Sequence, residues 1–391
     1  MKKVLLFSHD PGGSNAIVPL VRAFRKRGYS VKLFGKGISL KRYAQFGVRG
    51  LDIMKRIKRV GLGEIKKFLK DEKPDFIITG TSANDSTEKY IWNVSRDLKI
   101  PSFAVLDQWA NYGIRFSHHG VSQIEKYNHN KTHHFSPTKI FVMDLYAKKQ
   151  LDAIGISDTE IVVTGHPYFE MLLQDGRKII KDHTKSFRRN NNIKNSDIVI
   201  TFASEPIVSA YGVKNGSIGC FGYTEVTILR DILSVLKKIV EKHKLNVVLV
   251  IKLHPREEDN SFNQIIEENK TDGLSVRLIR NCNVWELMAE SDVICGMTSM
   301  FLIEAVLLGK PILSVQIGAV CKSEFILERE GVVDPVLSKG DLANRLEGLI
   351  IKPKLPRRSF RIVKNASKNI IDHLEYHYAN IGNKRREKSQ D

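Results

Sequence analysis

The chain has 391 residues, more than one hydrophobic core usually holds, so we expect two domains. Hydrophobic residues make up 42% and charged residues 27% of the chain, which is ordinary for a globular protein with sizeable cores. The 62 Lys and Arg against 43 Asp and Glu give a net charge of +19, which favours anionic partners: nucleic acid, a phospholipid surface or phosphorylated substrates.

Neither targeting nor disulfide signals stand out. The start, MKKVLLFSHDPGG, combines a short apolar run with turn residues and has no small-residue cleavage site, so it predicts a strand rather than a signal peptide. No segment has the apolar length of a membrane span. The four cysteines lie far apart without a CxxC pair, which argues against a disulfide framework or a structural zinc site. We therefore expect a cytoplasmic protein.

Strands and helices alternate through the first half. KVLLFS at 3–8 predicts a strand, AIVPLVRAFRKR at 16–27 an amphipathic helix ending at Gly28, and YSVKLFG a further strand. The alternation continues through DFIITGT, SFAVLDQ, TKIFVMD and TEIVVTGHP. Such alternation is typical of a parallel sheet covered by helices on both faces. We assign residues 1–172 to a Rossmann-like domain.

The second half repeats the pattern. Residues 173–196 are basic, rich in Asn and poor in apolar residues, as expected of a linker. A new alternating series runs from DIVITFASEP through NVVLVIKLHP to KPILSVQ and predicts a second Rossmann-like domain over 197–350. We predict a helical segment over 351–380 and a disordered basic tail over 381–391. The fold class is α/β, with two doubly wound parallel-sheet domains.

Ligands of open parallel sheets bind beyond the carboxyl ends of the strands, so the loops there are the candidate sites. In the first loop, HDPGGSN, Gly12 and Gly13 let the backbone approach a ligand, and helix amides near Ser14 can hold an anion. The alternative is a tight turn with Asn15 as the helix cap. Asp10 is a candidate general base toward an acceptor hydroxyl, or else it caps the turn.

The stretch VLDQWANYGIRF places polar and aromatic side chains directly after a strand. Such a group suits stacking on, and hydrogen bonding to, a sugar or a base, and Asp107 is a second candidate base. The alternative is a structured loop with the tryptophan buried between the halves. The candidate acceptor-binding residues are Trp109, Asn111, Tyr112 and Arg115.

Two loops of the second half carry polar groups at strand ends. In KLHP, Lys252 and His254 point to the same side of the strand and Pro255 stiffens the loop, so both side chains can meet phosphates. His254 can also stabilise a departing nucleotide, although a lone surface histidine is the alternative. In FASEP, Ser204 and Glu205 are candidates to contact phosphate or acceptor, unless this is a plain turn.

A third loop leads into an apolar helix. Thr298 and Ser299 stand at the helix start and Glu304 lies within its first two turns. Hydroxyls and free helix amides form a candidate anion site, and the carboxylate suits a ribose diol, but Ser299 as a simple N-cap is the alternative. The three histidines of NHNKTHHF lack a usual zinc spacing, and we assign no metal ligand.

These motifs together resemble the GT-B fold. The Thr-Ser-to-Glu helix followed by GKPIL is similar to the donor-binding helix of UDP-N-acetylglucosamine 2-epimerases and related glycosyltransferases. KLHP with TS resembles the motifs of bacterial sialyltransferases, polysialyltransferases and Kdo transferases, which use CMP-activated sugars. The resemblance implies two domains facing a central cleft. It also places Lys252, His254 and Pro255 at the donor phosphate, Thr298 and Ser299 beside it and Glu304 at the ribose, with Gly12 and Gly13 bordering the cleft. Ser14, Ser204 and Glu205 join the predicted donor site because of their positions in the loops.

The activity implied is metal-independent transfer of a sugar from a CMP- or UDP-activated donor to a hydroxyl of a surface-glycan or lipid-linked acceptor, with Asp10 or Asp107 as base and no cofactor. The alternatives are a sugar-nucleotide epimerase of the UDP-N-acetylglucosamine 2-epimerase type and a CDP-glycerol-type glycerophosphotransferase. The expected partners are the nucleotide-sugar, the glycan or lipid-linked acceptor, and an anionic membrane surface at the inner face of the membrane. Nucleic acid is not expected, because the basic runs lack interleaved aromatics.

Overall fold

The computed structural model describes residues 1–156, 159–178, 184–214, 218–219, 221–255, 257–258, 260, 262–352 and 360–387. The strands are β1 Lys3–Ser8, β2 Ser30–Gly35, β3 Leu51–Asp52, β4 Phe76–Thr79, β5 Ser102–Val105, β6 Lys139–Val142, β7 Glu160–Val163, β8 Ile198–Ala203, β9 Val213–Lys214, β10 Ile218–Gly219, β11 Val247–Lys252, β12 Leu274–Ile279, β13 Val293–Gly296 and β14 Ile312–Ser314. The helices are α1 Pro11–Lys26, α2 Ile38–Gln45, α3 Leu62–Glu72, α4 Thr87–Asp97, α5 Ile124–His129, α6 Leu145–Ala153, α7 Pro167–Met171, α8 Thr184–Asn190, α9 Ile207–Tyr211, α10 Glu225–His243, α11 Asn263–Glu268, α12 Val284–Glu290, α13 Met300–Leu307, α14 Ile326–Arg329, α15 Lys339–Ile351 and α16 Ala366–Glu387.

The chain forms two compact units, unit 1 from Met1–Met171 with Ile362–Asp391 and unit 2 from Leu172–Arg361. Unit 1 contains a seven-stranded parallel sheet in the order β3-β2-β1-β4-β5-β6-β7. The apolar runs of β1 and β4 are fully buried, as expected for strands covered by helices on both faces. The chain moves outward from β1 in both directions, so the topological switch point of unit 1 lies between β1 and β4.

Helix α1 begins at Pro11, five residues before the predicted start at residue 16. Proline is favoured at the first helical position, because it has no N–H to leave unsatisfied. Gly12 and Gly13, predicted to form a loop, therefore lie in the first turn of the helix.

The last helix, α16, belongs to unit 1. Ile370, Ile371 and Leu374 are buried in the same core as the inner face of α1, and Arg27 forms ion pairs with Asp372 and Glu375. The helix continues to residue 387, which differs from the disordered tail predicted from 381, because its Lys, Arg and Glu residues favour helix. Residues 388–391 of that tail lie outside the described residues.

Unit 2 contains a five-stranded parallel sheet in the order β12-β11-β8-β13-β14, so its switch point lies between β8 and β13. Residues 173–196, predicted as a linker, belong to this unit. Phe187 on α8 is buried, and Arg188 forms an ion pair with Glu290 of α12. Residues 179–183 of this segment are outside the described part of the chain.

Among the helices of the described residues, none is both long enough and apolar enough to cross a bilayer.

Candidate functional site

The switch point of unit 1 forms what we call the first crevice, lined by the loops that follow β1 and β4 and by the start of α4. The two loops bond directly: Ser82 Oγ donates to Asp10 Oδ2 at 2.7 Å, and the His9 amide donates to Glu88 Oε1 at 3.3 Å. His9 lies between two carboxylates, with Nδ1 2.9 Å from Asp10 Oδ1 and Nε2 3.8 Å from Asp85 Oδ2. The His9 and Asp10 side chains keep 25% and 19% exposure, so solvent and ligands can reach both.

The glycines at the start of α1 make room for protein groups. A Cβ at Gly12 would lie 2.0 Å from Asp107 Oδ2, and a Cβ at Gly80 would lie 2.8 Å from the Cα of Gly13. Ser14 is buried and its hydroxyl lies 2.9 Å from the Asp10 carbonyl oxygen, to which it donates. Of the predicted donor-site residues, Gly12 thus packs against a carboxylate of unit 1, Gly13 against the loop after β4, and Ser14 against the backbone.

The first crevice gathers four carboxyl groups, those of Asp10, Asp85, Glu88 and Asp107. Burial raises the pKa of Glu88 well above its usual range, and the charges of the other three add to this effect. Burial also raises the pKa of Asp107, against the lowering effect of Arg115. For Asp85 the opposite holds: burial is outweighed by His9 and by the Lys36 and Thr87 hydrogen bonds, so its pKa is lowered. The pKa values of neighbouring carboxyls are therefore shifted in opposite directions.

Glu88 is the most enclosed member of this cluster. Its side chain is fully buried, and its Oε2 atom has no hydrogen-bond partner among the residues that the structure describes. A buried carboxyl without a partner for one oxygen is far more stable neutral than ionised. Burial therefore favours the neutral form of the Glu88 carboxyl, which lies beneath the more exposed His9 and Asp10.

The residues predicted to bind an acceptor lie mostly in the interior. Trp109 is buried, stacks on Phe169 with ring centroids 5.9 Å apart, and donates its indole N–H to Asp144 at 2.7 Å. Tyr112 is also buried, and Asn111 is half-buried with a φ of +54°. The aromatic rings that were predicted to stack on a ligand are therefore packed into the interior of unit 1.

Arg115 and His166 position Asp107. Arg115 is 2% exposed and donates from Nη1 to Asp107 Oδ1 at 2.7 Å. His166, from the VTGHP motif, lies with Nε2 3.1 Å from the Asp107 carbonyl oxygen, which requires a proton on Nε2. Burial lowers the pKa of His166 to about 4, so this ring is neutral. Arg115, assigned to the acceptor from sequence, instead pairs with the candidate base Asp107.

The switch point of unit 2 forms the second crevice, lined by the loops after β8, β11 and β13. Glu205 closes it: Oε1 accepts the amides of Met297 and Thr298 at 3.2 and 2.7 Å, and Oε2 accepts the Thr298 hydroxyl at 3.0 Å. Burial raises the pKa of Glu205 to about 7, although these hydrogen bonds oppose the rise. Ser299 Oγ accepts the Phe301 amide at 3.2 Å, which is the N-cap alternative foreseen for it.

The KLHP loop is held by two residues that the sequence analysis did not select. Glu257 accepts the Ser204 hydroxyl at 2.5 Å and the His254 amide at 2.6 Å, so it ties the loop after β8 to the loop after β11. Arg280 donates to the carbonyl oxygens of His254 and Pro255 at 3.3 Å and to that of Glu257. The backbone around His254 is thereby fixed.

Lys252 and Glu304 complete the second crevice. The Lys252 Nζ lies 5.2 Å from the ring centroid of Phe301, so it reaches the first turn of α13. Glu304 is buried on the same helix. The structure thus brings the predicted residues of unit 2 to three adjacent strand ends.

Several crevice residues were missed from sequence. In unit 1 they are His9, Lys36, Ser82, Asp85 and Glu88. The stretch GTSANDSTE follows the buried strand FIIT, so the strand-end rule already applied to other loops would have selected three of them. Glu257 lies five residues beyond the end of β11, so the same rule would have selected it as well.

No protein-family model matches the sequence, and no curated protein matches it. Among solved structures, UDP-GlcNAc 2-epimerase from Neisseria meningitidis bound to UDP-GlcNAc matches 96% of this chain and 100% of that chain, at 17% identity and a TM-score of 0.64. UDP-GlcNAc 2-epimerase from Methanocaldococcus jannaschii matches 96% of this chain and 99% of that chain, at 16% identity and a TM-score of 0.65. The S. aureus MnaA-UDP co-structure matches 97% of this chain and 97% of that chain, at 14% identity and a TM-score of 0.63. Such low identity shows the fold alone: two parallel-sheet α/β units of the GT-B class.

Proposed function

We propose that this protein is an enzyme acting on a nucleotide-activated sugar, and that it inverts a stereocentre of that sugar as a sugar-nucleotide epimerase of the UDP-N-acetylglucosamine 2-epimerase type. The observation that carries the proposal is the first crevice, where the partly exposed His9 and Asp10 lie side by side above the buried Glu88. The similarity of the whole chain to structures of 2-epimerases supports this choice over glycosyl transfer, the first expectation from sequence.

Epimerisation at C2 breaks the C2–H bond, and because no carbonyl adjoins C2, its electron pair is taken up when the C1–O bond to the nucleotide breaks. The nucleotide then adds back to C1 while C2 receives a proton on the opposite face. The reaction therefore needs a base and an acid in the same site, with protonation states that differ at one pH. Asp10 is the proposed base, and His9, bonded to it through Nδ1, is the proposed acid. Glu88 touches no substrate; its neutral form keeps a further negative charge away from Asp10.

Nucleotide binding is assigned to the second crevice. Lys252 and His254 supply positive charge and donors for phosphate, and Glu304 is the proposed ribose partner. The amides of Met297 and Thr298 are held by Glu205, whose charge would repel a phosphate unless the carboxyl is protonated. We propose a reaction without metal or organic cofactor, since Lys252 and His254 can balance the phosphate charge.

The test is incubation with UDP-N-acetylglucosamine alone in D2O, followed by NMR of the sugar. The expected result is a second 2-epimer with deuterium at C2. The Asp10→Asn variant should lose both signals while its melting temperature still rises with the nucleotide. No exchange and no new sugar, from this or from other UDP- and CMP-sugars, overturns the proposal.

Glycosyl transfer is the second candidate. It is favoured by the Ser82 hydroxyl, which donates to Asp10 at 2.7 Å and shows that this carboxylate accepts a hydroxyl in the first crevice. A transferase, or a CDP-glycerol-type glycerophosphotransferase, would release nucleotide only when an acceptor is present. A melting-temperature panel of CMP, CDP, UDP, UMP and GDP identifies the base, which distinguishes a UDP-sugar epimerase from the CMP-dependent transferases whose motifs KLHP and TS resemble.

A further inference from the structure

Residues 49–70 are one segment of chain that begins at the edge of the unit 1 sheet, and we call its exposed side the 49–70 surface. Within the described part of the chain its strand, β3, pairs with β2 alone, and its helix is α3. Ile53, Ile57 and Ile65 are buried in the core beneath, so the residues between them project outward. These buried isoleucines fix the segment to unit 1, so its exposed side chains have defined positions in the folded unit.

This surface concentrates apolar side chains. Leu51, Met54 and Leu62 are 39%, 37% and 46% exposed. They are three of the nine exposed large apolar side chains in the described residues, and they fall within one short segment. Single exposed apolar residues need no explanation, but grouped ones mark interaction sites.

The same surface is strongly basic. It contains eight Lys and Arg against two acidic residues, a net charge of +6, and all eight basic residues are exposed. On α3, Leu62, Lys66 and Lys70 are spaced four residues apart, so they form one row on the outer face of the helix. Apolar and basic side chains are therefore interleaved.

We propose that the 49–70 surface binds an anionic lipid bilayer, with Leu51, Met54 and Leu62 entering the headgroup layer and the basic residues meeting lipid phosphates. Basic residues attract such a surface and apolar side chains add insertion energy. Nucleic acid fits less well, because Phe68, the segment's single aromatic residue, is buried and leaves no ring for base stacking.

The surface starts at the carboxyl edge of the sheet. Leu51 and Asp52 pair with Phe34 and Gly35, the last residues of β2, so Met54 follows beyond that edge. The Lys58 amide donates to Glu64 Oε2 at 3.2 Å, which ties this segment to the first turn of α3. The bilayer would thus meet unit 1 at the same edge of the sheet as the first crevice.

The test is sedimentation of the full-length protein with vesicles of phosphatidylcholine, with and without phosphatidylglycerol. We expect binding to the anionic vesicles alone, weakening as salt rises. The double variant Lys55→Glu with Lys58→Glu should weaken binding at least about twentyfold, since each basic residue near an anionic surface contributes a factor of about five. The double variant Met54→Ser with Leu62→Ser should weaken it about tenfold.

Matched controls place the same changes on unit 2: Lys238→Glu with Lys322→Glu, and Val320→Ser with Leu337→Ser, all at exposed positions. They should leave vesicle binding within twofold, roughly the change expected when the binding surface is untouched. Absence of binding to anionic vesicles overturns the proposal, and so does an equal loss in the controls. Binding to a polynucleotide that the charge variants abolish, without vesicle binding, assigns the surface to nucleic acid instead. Nucleotide-induced melting shifts are measured separately, so this result does not depend on the proposed epimerase activity.

Discussion

The two crevices occupy the same topological position and differ in what holds their loops together. In unit 1 the loops after β1 and β4 meet through side chains: Ser82 on Asp10, and His9 between two carboxylates. In unit 2 the loops after β8 and β13 meet through the Glu205 carboxylate on backbone amides. The first arrangement leaves titratable side chains at the mouth, which suits proton transfer. The second fixes its loops through backbone amides and places Lys252 beside them, which suits a phosphate.

The largest effect should come from the first crevice. Asp10→Asn removes the proposed base, so we expect kcat to fall by roughly a thousandfold, within the usual range for general base catalysis. Nucleotide affinity should change less than about twofold, because binding is assigned to the other unit. Steady-state kinetics and calorimetric titration measure the two quantities. Asp71→Asn, at an exposed position of α3, is the control. If Asp10→Asn lowered kcat and nucleotide affinity equally, the assignment of catalysis and binding to different crevices would be wrong.

In the second crevice, Lys252→Ala should weaken nucleotide binding about ten- to a hundredfold, the range for one charged hydrogen bond to phosphate. The pH profile of kcat should keep its shape, because no proton-transfer group is changed. Titration calorimetry with the nucleotide selected by the melting panel gives the affinity. Lys238→Ala, on α10 and exposed, should bind normally; an unchanged affinity in the Lys252 variant would contradict the assignment.

Glu257→Gln should produce a smaller loss of affinity, about five- to tenfold. Glutamine keeps one oxygen for the His254 amide, and its N–H₂ can donate to the Ser204 hydroxyl instead of accepting from it. Both hydrogen bonds then lose the carboxylate as acceptor and weaken, so the loop loosens. Adding His254→Ala to this variant should cause little further loss if Glu257 acts by positioning that loop. Fully additive losses would show that the two residues act independently, and Glu258→Gln is the exposed control.

The smallest effect concerns stability against pH. The pKa of Glu205, about 7 in the fold, is raised above the usual carboxyl value, so its stabilising contribution is full below about pH 4. That contribution is lost as the pH rises through about 7. Glu205→Gln cannot ionise, so the difference in melting temperature between wild type and variant should change across this window. Calorimetry from pH 4 to about 8 measures this difference. A difference that stays constant would mean that Glu205 is ionised throughout this range.

The architecture followed from local patterns. Residues 3–8 and 198–203 form strands because short apolar runs bounded by turn residues are buried between helix layers. The boundary of α1 was placed five residues late, because the glycines were read as a loop signal although Pro11 starts the helix. Trp109 was misplaced for a related reason: an aromatic residue after a strand carries no sign of whether it faces a ligand or the core.

What the sequence determined by itself is the succession of strands and helices, and with it the set of loops that lie beyond the carboxyl ends of the strands. Asp10, Lys252 and His254 are predicted in this way, because their position at a strand end depends only on their own strand; their roles stay predictions. The tertiary structure alone decided which loops meet. Glu88 lies 79 residues from His9, and Glu205 lies 93 residues from Thr298. These contacts depend on strand order, which brings distant segments side by side, and no local periodicity encodes that order.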